Sequence, residues 1–169
     1  MRIRSASMSE VWSRLADKTW LGLIRQAEGM LVSKHRVSYG LQQISTSAAF
    51  LVDPEKRLVV VRFGKNLTVA DVERYASMLR LNSSFHPSFG EIVDLTEVEE
   101  LCLQADDFLT LADKTDPFAL EAKRAFVVLT SVQKHAARMH KILRTSRNIE
   151  IFHTFEDAEG WIEQSSCRR

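Results

Sequence analysis

The chain has 169 residues, is 45% hydrophobic and 27% charged, and holds only six glycines and three prolines, which suits one packed domain with some extra length and excludes a disordered chain. A formal net charge of +1 leaves no global field to attract nucleic acid, and no apolar run approaches the roughly 20 residues that cross a bilayer. Cys102 and Cys167 follow no metal-ligand spacing and give no disulfide framework, and the opening "MRIRSASMSEVW" lacks an apolar signal core, so a cytoplasmic protein is expected.

The charge is uneven along the chain. Residues 1–40 hold seven Lys/Arg and three Asp/Glu; residues 91–121 hold ten acids and only Lys114 as a base; residues 123–147 hold seven bases and no acid. Neighbouring segments of opposite sign either attract each other or face different partners.

Two units are expected, an N-terminal arm over 1–40 and a domain over 41–169, with the seam near "RVSYGLQQISTSA", which is polar and lacks helical periodicity. In the arm, Trp12, Leu15, Trp20, Leu23, Ile24, Ala27, Met30 and Leu31 recur at helical spacing, which predicts one amphipathic helix capped by Ser9. Two tryptophans on one stripe need a cover. The cover expected is the chain's own domain or a second copy, giving a homo-oligomer through this helix; membrane association through Arg14, Lys18 and Arg25 is the weaker reading. Met8 would serve as a start as well as Met1.

From residue 48 strands and helices alternate. "AAFLVD" and "LVVVRF" flank "DPEK", whose Pro54 sits second in a four-residue turn, and so predict an antiparallel hairpin. "TVADVERYASMLRLN" reads as a helix capped by Thr68 with Asp71 three residues on, burying Val72, Tyr75, Ala76 and Leu79. "EIVDL" is the next strand. "QADDFLTLADKTD" is helical with Phe108, Leu111 and Ala112 inward. "AFVVLT" is an unbroken apolar run, which predicts a strand buried on both faces. "SVQKHAARMHKILRTS" is a helix with Val132, Ala136, Met139 and Leu143 inward, "IEIFH" a strand, and "TFEDAEGWIEQS" a closing helix capped by Thr154 and anchored by Phe155, Ala158, Trp161 and Ile162. The order ββαβαβαβα implies an α/β fold with a mixed, mostly parallel sheet under packed helices, the hairpin supplying an antiparallel strand at or near one edge.

The segments "LVVVRFGKNLTVADVERY", "EIVDLTEVEEL", "AFVVLT" and "IEIFHTFEDAEGWI" resemble the STAS domains of bacterial anti-sigma factor antagonists, and more narrowly the SpoIIAA-like group, over about residues 50–162. The last segment is the most specific, through Phe152, Phe155, Glu156, Ala158 and Trp161. The resemblance implies a non-enzymatic protein-interaction module in bacterial regulation. It also implies a phosphorylatable serine in the loop after the strand that ends in Asp94-Leu95-Thr96. That loop reads "LCLQAD" from residue 101, with no hydroxyl and no glycine, so the switch serine is missing.

The acids around that strand end, Asp94, Glu97, Glu99 and Glu100 with Asp106 and Asp107, would repel a phosphoryl group. Thr96 with Glu99 fits a capping box, and Asp106 with Asp107 suits a first helical turn, so the stretch reads first as structure. Its functional reading is an acidic contact surface for a basic protein partner. Lys134, Arg138 and Lys141 fall at i, i+4 and i+7 and predict an exposed basic row, extended by Arg144 and Arg147, with a solvated face as the plainer reading and an anionic or acidic partner as the functional one. No aromatics interleave the row, so nucleic acid is not expected.

Ser131 and Lys134 have Ser-x-x-Lys spacing but no supporting motif, and a Thr or Ser at that place is an expected helix cap. His135 and His140, five apart on one helix, cannot share a metal as an i, i+4 pair does. No glycine-rich phosphate loop follows a strand. No catalytic residue, cofactor or metal site is therefore expected. The alternative to a protein-interaction module is a small-molecule binder that holds an apolar, lipid-like or anionic ligand between helices and sheet. A buried apolar cavity favours that alternative, and a closed core with an exposed charged loop favours the module.

Overall fold

The computed structural model describes residues 41–45, 48–144 and 147–164. The amphipathic helix expected within residues 1–40, and the self-association expected through it, lie outside the described residues.

Among the described residues eight strands and four α-helices follow one another. The main sheet runs in the order β1-β2-β3-β5-β7-β8, made of β1 (Gln42–Gln43), β2 (Ala49–Asp53), β3 (Leu58–Arg62), β5 (Gly90–Asp94), β7 (Arg124–Val127) and β8 (Ile149–Phe152). β1, β2 and β3 pair antiparallel, and β3, β5, β7 and β8 pair parallel. The mixed, mostly parallel sheet expected from the alternation is thus observed, with the hairpin on one side. Between β2 and β3 the turn is held by Asp53, whose Oδ1 accepts the amide of Lys56 at 2.9 Å. β7 lies between β5 and β8, and its residues are all buried, Arg124 with the apolar Ala125, Phe126 and Val127, while Leu129 and Thr130 of the expected strand lie beyond its end and are exposed.

α1 (Val69–Leu81) begins in the capping box expected, with Thr68 accepting from the Asp71 amide, and buries Tyr75, Ala76 and Leu79. Tyr75 meets Phe50 and Phe63 edge-on, at centroid distances of 5.2 and 6.0 Å. Thr154 caps α4 (Phe155–Glu163), which packs on β5, β7 and β8. It approaches so closely that a Cβ on Gly90 would stand 2.9 Å from a methyl of Ile162.

Three expectations are corrected. First, no helix starts at Thr96. Residues after Leu95 form a turn and then β6 (Glu100–Cys102), which pairs in parallel with β4 (Asn66–Thr68) in a second, two-stranded sheet. The amides of Glu99 and Glu100 both donate to the carbonyl of Lys65, so the backbone is drawn to a strand and away from a helical turn. Second, the helix expected over 104–116 is α2 (Ala105–Thr110) followed by a π-helical turn, Leu111–Thr115. Asp107 does occupy its first turn and accepts from the Gln104 amide. Third, α3 (Ser131–Leu143) is rotated from the stripe expected. Val132 is 48% exposed, whereas Gln133, Ala136 and Ala137 are buried.

Gln133 explains that rotation. It completes the capping box with Thr130, its Oε1 accepts the amides of Leu129 and Thr130, and its Nε2 donates to the carbonyl of Val98 at 2.7 Å. A fully buried amide with its donors and acceptor engaged outweighs the burial of Val132.

Candidate functional site

Two charged pairs are built into the sheet, each between residues directly opposite on neighbouring parallel strands. Arg62 on β3 faces Asp94 on β5, and Glu91 on β5 faces Arg124 on β7. Successive residues of a strand point to opposite faces. Glu91 and Val93 therefore share one face, and Gly90, which contacts α4, belongs to the other.

Asp94 is buried at the end of β5. Its Oδ2 accepts from Arg62 Nε at 2.7 Å, and its Oδ1 accepts both the amide and the hydroxyl of Thr96, at 2.9 and 2.7 Å. Both oxygens are thus committed to holding the strand end and the turn after it. Glu97 lies 3.6 Å from Arg62, Glu99 lies 3.2 Å from Lys65, and Glu100 is exposed at the start of β6. On α3, Arg138 is exposed, Lys134 is half-buried, and Lys141 pairs with Glu150 at 3.0 Å, so the basic row is not a continuous exposed one. Ser131 is exposed beside the cap that Thr130 supplies. Among the described residues no group of His, Cys, Asp and Glu is placed to hold a metal, and no helix is long and apolar enough to cross a membrane.

The opposite face of the sheet carries a cavity of about 90 Å³ under α1, α2 with its π-helical turn, and α3. Phe63, Leu67, Val72, Val93, Leu95, Leu103, Phe108, Leu111, Phe126 and Ala136 supply most of its wall. Tyr75, Glu91, Asp116, Arg124 and His140 form one polar side. A cavity of this size is roomy enough for several waters or for a small organic group.

The polar side is a closed cluster around Arg124. Its Nε and Nη2 donate to Glu91 Oε2, and its Nη1 donates to Asp116 Oδ2 and, at 2.8 Å, to His140 Nε2. Tyr75 donates its hydroxyl to Glu91 Oε1 at 2.7 Å, and Asp116 Oδ1 accepts the amide of Phe118 at 3.0 Å. The guanidinium also lies over the Phe118 ring, 5.0 Å from its centre. Arg144 reaches the same carboxylate from α3. Its Nε is 3.2 Å from Asp116 Oδ2, close enough for an ion pair but not aligned for a hydrogen bond, while Nη1 and Nη2 donate to the carbonyls of Ala112 and Phe118.

Burial pushes the Glu91 carboxyl up, and the Arg124 charge opposes that push. Burial, with Glu91 beside it, also pushes the Tyr75 hydroxyl well up. His140 is pulled well below its ordinary value of 6.5, first by burial and then by the charges of Arg124 and Arg144. Arginine only donates, so a neutral imidazole accepting at Nε2 fits the geometry as well.

This has a consequence for stability. The unfolded chain takes up the His140 proton near pH 6.5 and the folded chain does so only at lower pH. Stability is therefore complete above that value and falls as pH drops below it, by at most about 1.4 kcal/mol per pH unit. Glu91 acts in the opposite sense, since its raised value favours proton uptake by the folded state. Urea unfolding of wild type and His140→Gln across this range separates the two, because glutamine keeps an acceptor for Arg124 but does not titrate. The wild type is expected to lose stability more steeply, and parallel profiles would contradict the assignment.

None of the five polar residues of this cluster was singled out as a site from the sequence. The signal was present in two of them. Glu91 has the parity of Val93 and Leu95, and Arg124 the parity of Phe126 and Val128, so each places a charge on the inward face of an apolar strand.

The described chain is a mixed α/β module with an apolar cavity on one face of its sheet. No family model matches the chain, and no curated protein matches it. Among solved structures it is similar to the crystal structure of an uncharacterized protein from the DUF3478 family with a SpoIIAA-like fold, from Shewanella loihica PV-4, with 22% sequence identity over 79% of this chain and 99% of that chain and a TM-score of 0.47.

Proposed function

We propose that the protein is a non-catalytic module that binds a small, largely apolar molecule in the cavity between α1, α2, α3 and the sheet. The observation that carries this reading is the cavity itself, apolar on most of its wall, with the cluster around Arg124 on one side. An apolar pocket with a few convergent polar groups is the default place for a small ligand. An engineered cavity of about 150 Å³ holds benzene, so a space of about 90 Å³ takes a smaller group fully, or one end of a larger ligand that projects through the mouth.

A reaction has less support. No serine or cysteine is among the lining residues, and the titratable groups there are hydrogen-bonded to one another. A protein partner for Asp94, Thr96, Glu97, Glu99 and Glu100 also has less support than the cavity, because Asp94 is buried and Glu97 and Glu99 already have cations beside them.

The test is a titration of the ¹⁵N-labelled full chain with toluene, followed by amide chemical shifts. Saturable shifts are expected at Val72, Ala76, Leu111, Ala112 and Phe126, and not along the exposed face of α3.

A further inference from the structure

The binding reading just given leaves open which chemistry the cavity accepts. Resting on that reading, we infer that the ligand is uncharged and carries a hydrogen-bond acceptor, such as a carbonyl oxygen, that the Nδ1–H of His140 meets.

The charges decide the first half. Two carboxylates, Glu91 and Asp116, stand against two guanidiniums, Arg124 and Arg144, and their formal charges cancel. Each is already engaged. An anionic ligand would have to draw Arg124 away from Glu91 or Asp116, and the carboxylate left behind is 0% exposed in the case of Glu91. Removing one partner of a buried pair is the costly case. A cationic ligand would meet carboxylates whose oxygens accept from Tyr75, Arg124 and the Phe118 amide. The remaining wall is apolar apart from Thr115 and offers no counter-charge to either.

The second half follows from the histidine. Nε2 accepts from Arg124, so the ring proton of a neutral His140 sits on Nδ1. Among the described residues Nδ1 has no hydrogen-bond partner, and His140 lines the cavity. An acceptor on the ligand would supply the missing partner, whereas a purely apolar ligand would cover the N–H without replacing the water it displaces, which favours the acceptor.

Four compounds of similar size separate the possibilities: acetophenone, toluene, benzoate and benzylamine, each titrated into the ¹⁵N-labelled full chain near neutral pH. Acetophenone is expected to bind about ten-fold more tightly than benzoate or benzylamine, and several-fold more tightly than toluene. In His140→Phe the ratio of acetophenone to toluene affinity is expected to fall to about one. A long-range ¹⁵N spectrum of the imidazole rings, which needs no variant, is expected to show the Nδ1–H form of His140 in the free protein. Benzoate or benzylamine binding as tightly as acetophenone overturns the inference and leaves the cavity reading standing. So does toluene binding as tightly as acetophenone, or an Nε2–H imidazole. If none of the four shifts the amides around the cavity, both the inference and the binding reading fall.

Discussion

Replacing Arg124 by methionine is expected to lower the free energy of unfolding by about 3–5 kcal/mol, read from urea denaturation followed by circular dichroism. Methionine fills much of the same volume, so the loss is one of charge and hydrogen bonding and not of packing. Glu91 is 0% exposed and would keep only the Tyr75 hydroxyl, while Asp116 would keep Arg144 and the Phe118 amide. The double variant Glu91→Met, Arg124→Met removes both members of the central pair and is expected to recover a large part of the loss, because a buried pair exchanged for apolar side chains is often close to neutral. A loss below about 1 kcal/mol in the single variant would show that the cluster is not dry and charged as described here.

The second large effect is expected at the end of β5. Asp94→Ala should cost about 3 kcal/mol, since it leaves Arg62 buried beside the more distant, exposed Glu97 and also frees the amide and hydroxyl of Thr96. Glu99→Ala, in the same acidic stretch but with its side chain 65% exposed, should change stability by less than about 0.5 kcal/mol. If Asp94→Ala is as stable as wild type, the strand end is not held in the way the geometry indicates, and a functional reading of the carboxylate regains force.

The course of the chain from Ala49 to Glu163 was readable largely because apolar spacing and capping residues agree with each other there. Thr68 with Asp71, Thr130 with Gln133, and Thr154 each begin a helix where a strand pattern has just ended. The acidic stretch misled for a local reason. Thr96-x-x-Glu99 has the spacing of a capping box, yet the Thr96 hydroxyl goes back to Asp94, and the amides of Glu99 and Glu100 go to Lys65 on a segment thirty-odd residues earlier in the chain. A tertiary hydrogen bond of that kind leaves no trace in local spacing.

The rotation of α3 had the same origin. An apolar stripe through Val132 competes with one polar residue, Gln133, whose side chain has backbone partners in two segments of the chain, at Val98 and at Leu129 with Thr130. The cavity was hidden for a different reason: its wall is drawn from side chains scattered over residues 63–140, which only the order of strands brings together. Parity marked Glu91 and Arg124 as inward. It carried no information on which strands are neighbours, and without the β5–β7 register the two charges read as strand-end residues.

The central claim is that the space between α1, α2, α3 and the sheet receives a ligand. Its most direct test compares the toluene titration of wild type with that of Val72→Trp, a half-buried position on α1 where an indole would fill the space. The account predicts saturable amide shifts around Leu111 and Phe126 in the wild type and their loss in the variant, with α3's exposed residues unmoved in both. Equal shifts in the two proteins, or shifts confined to the surface of α3, would contradict it.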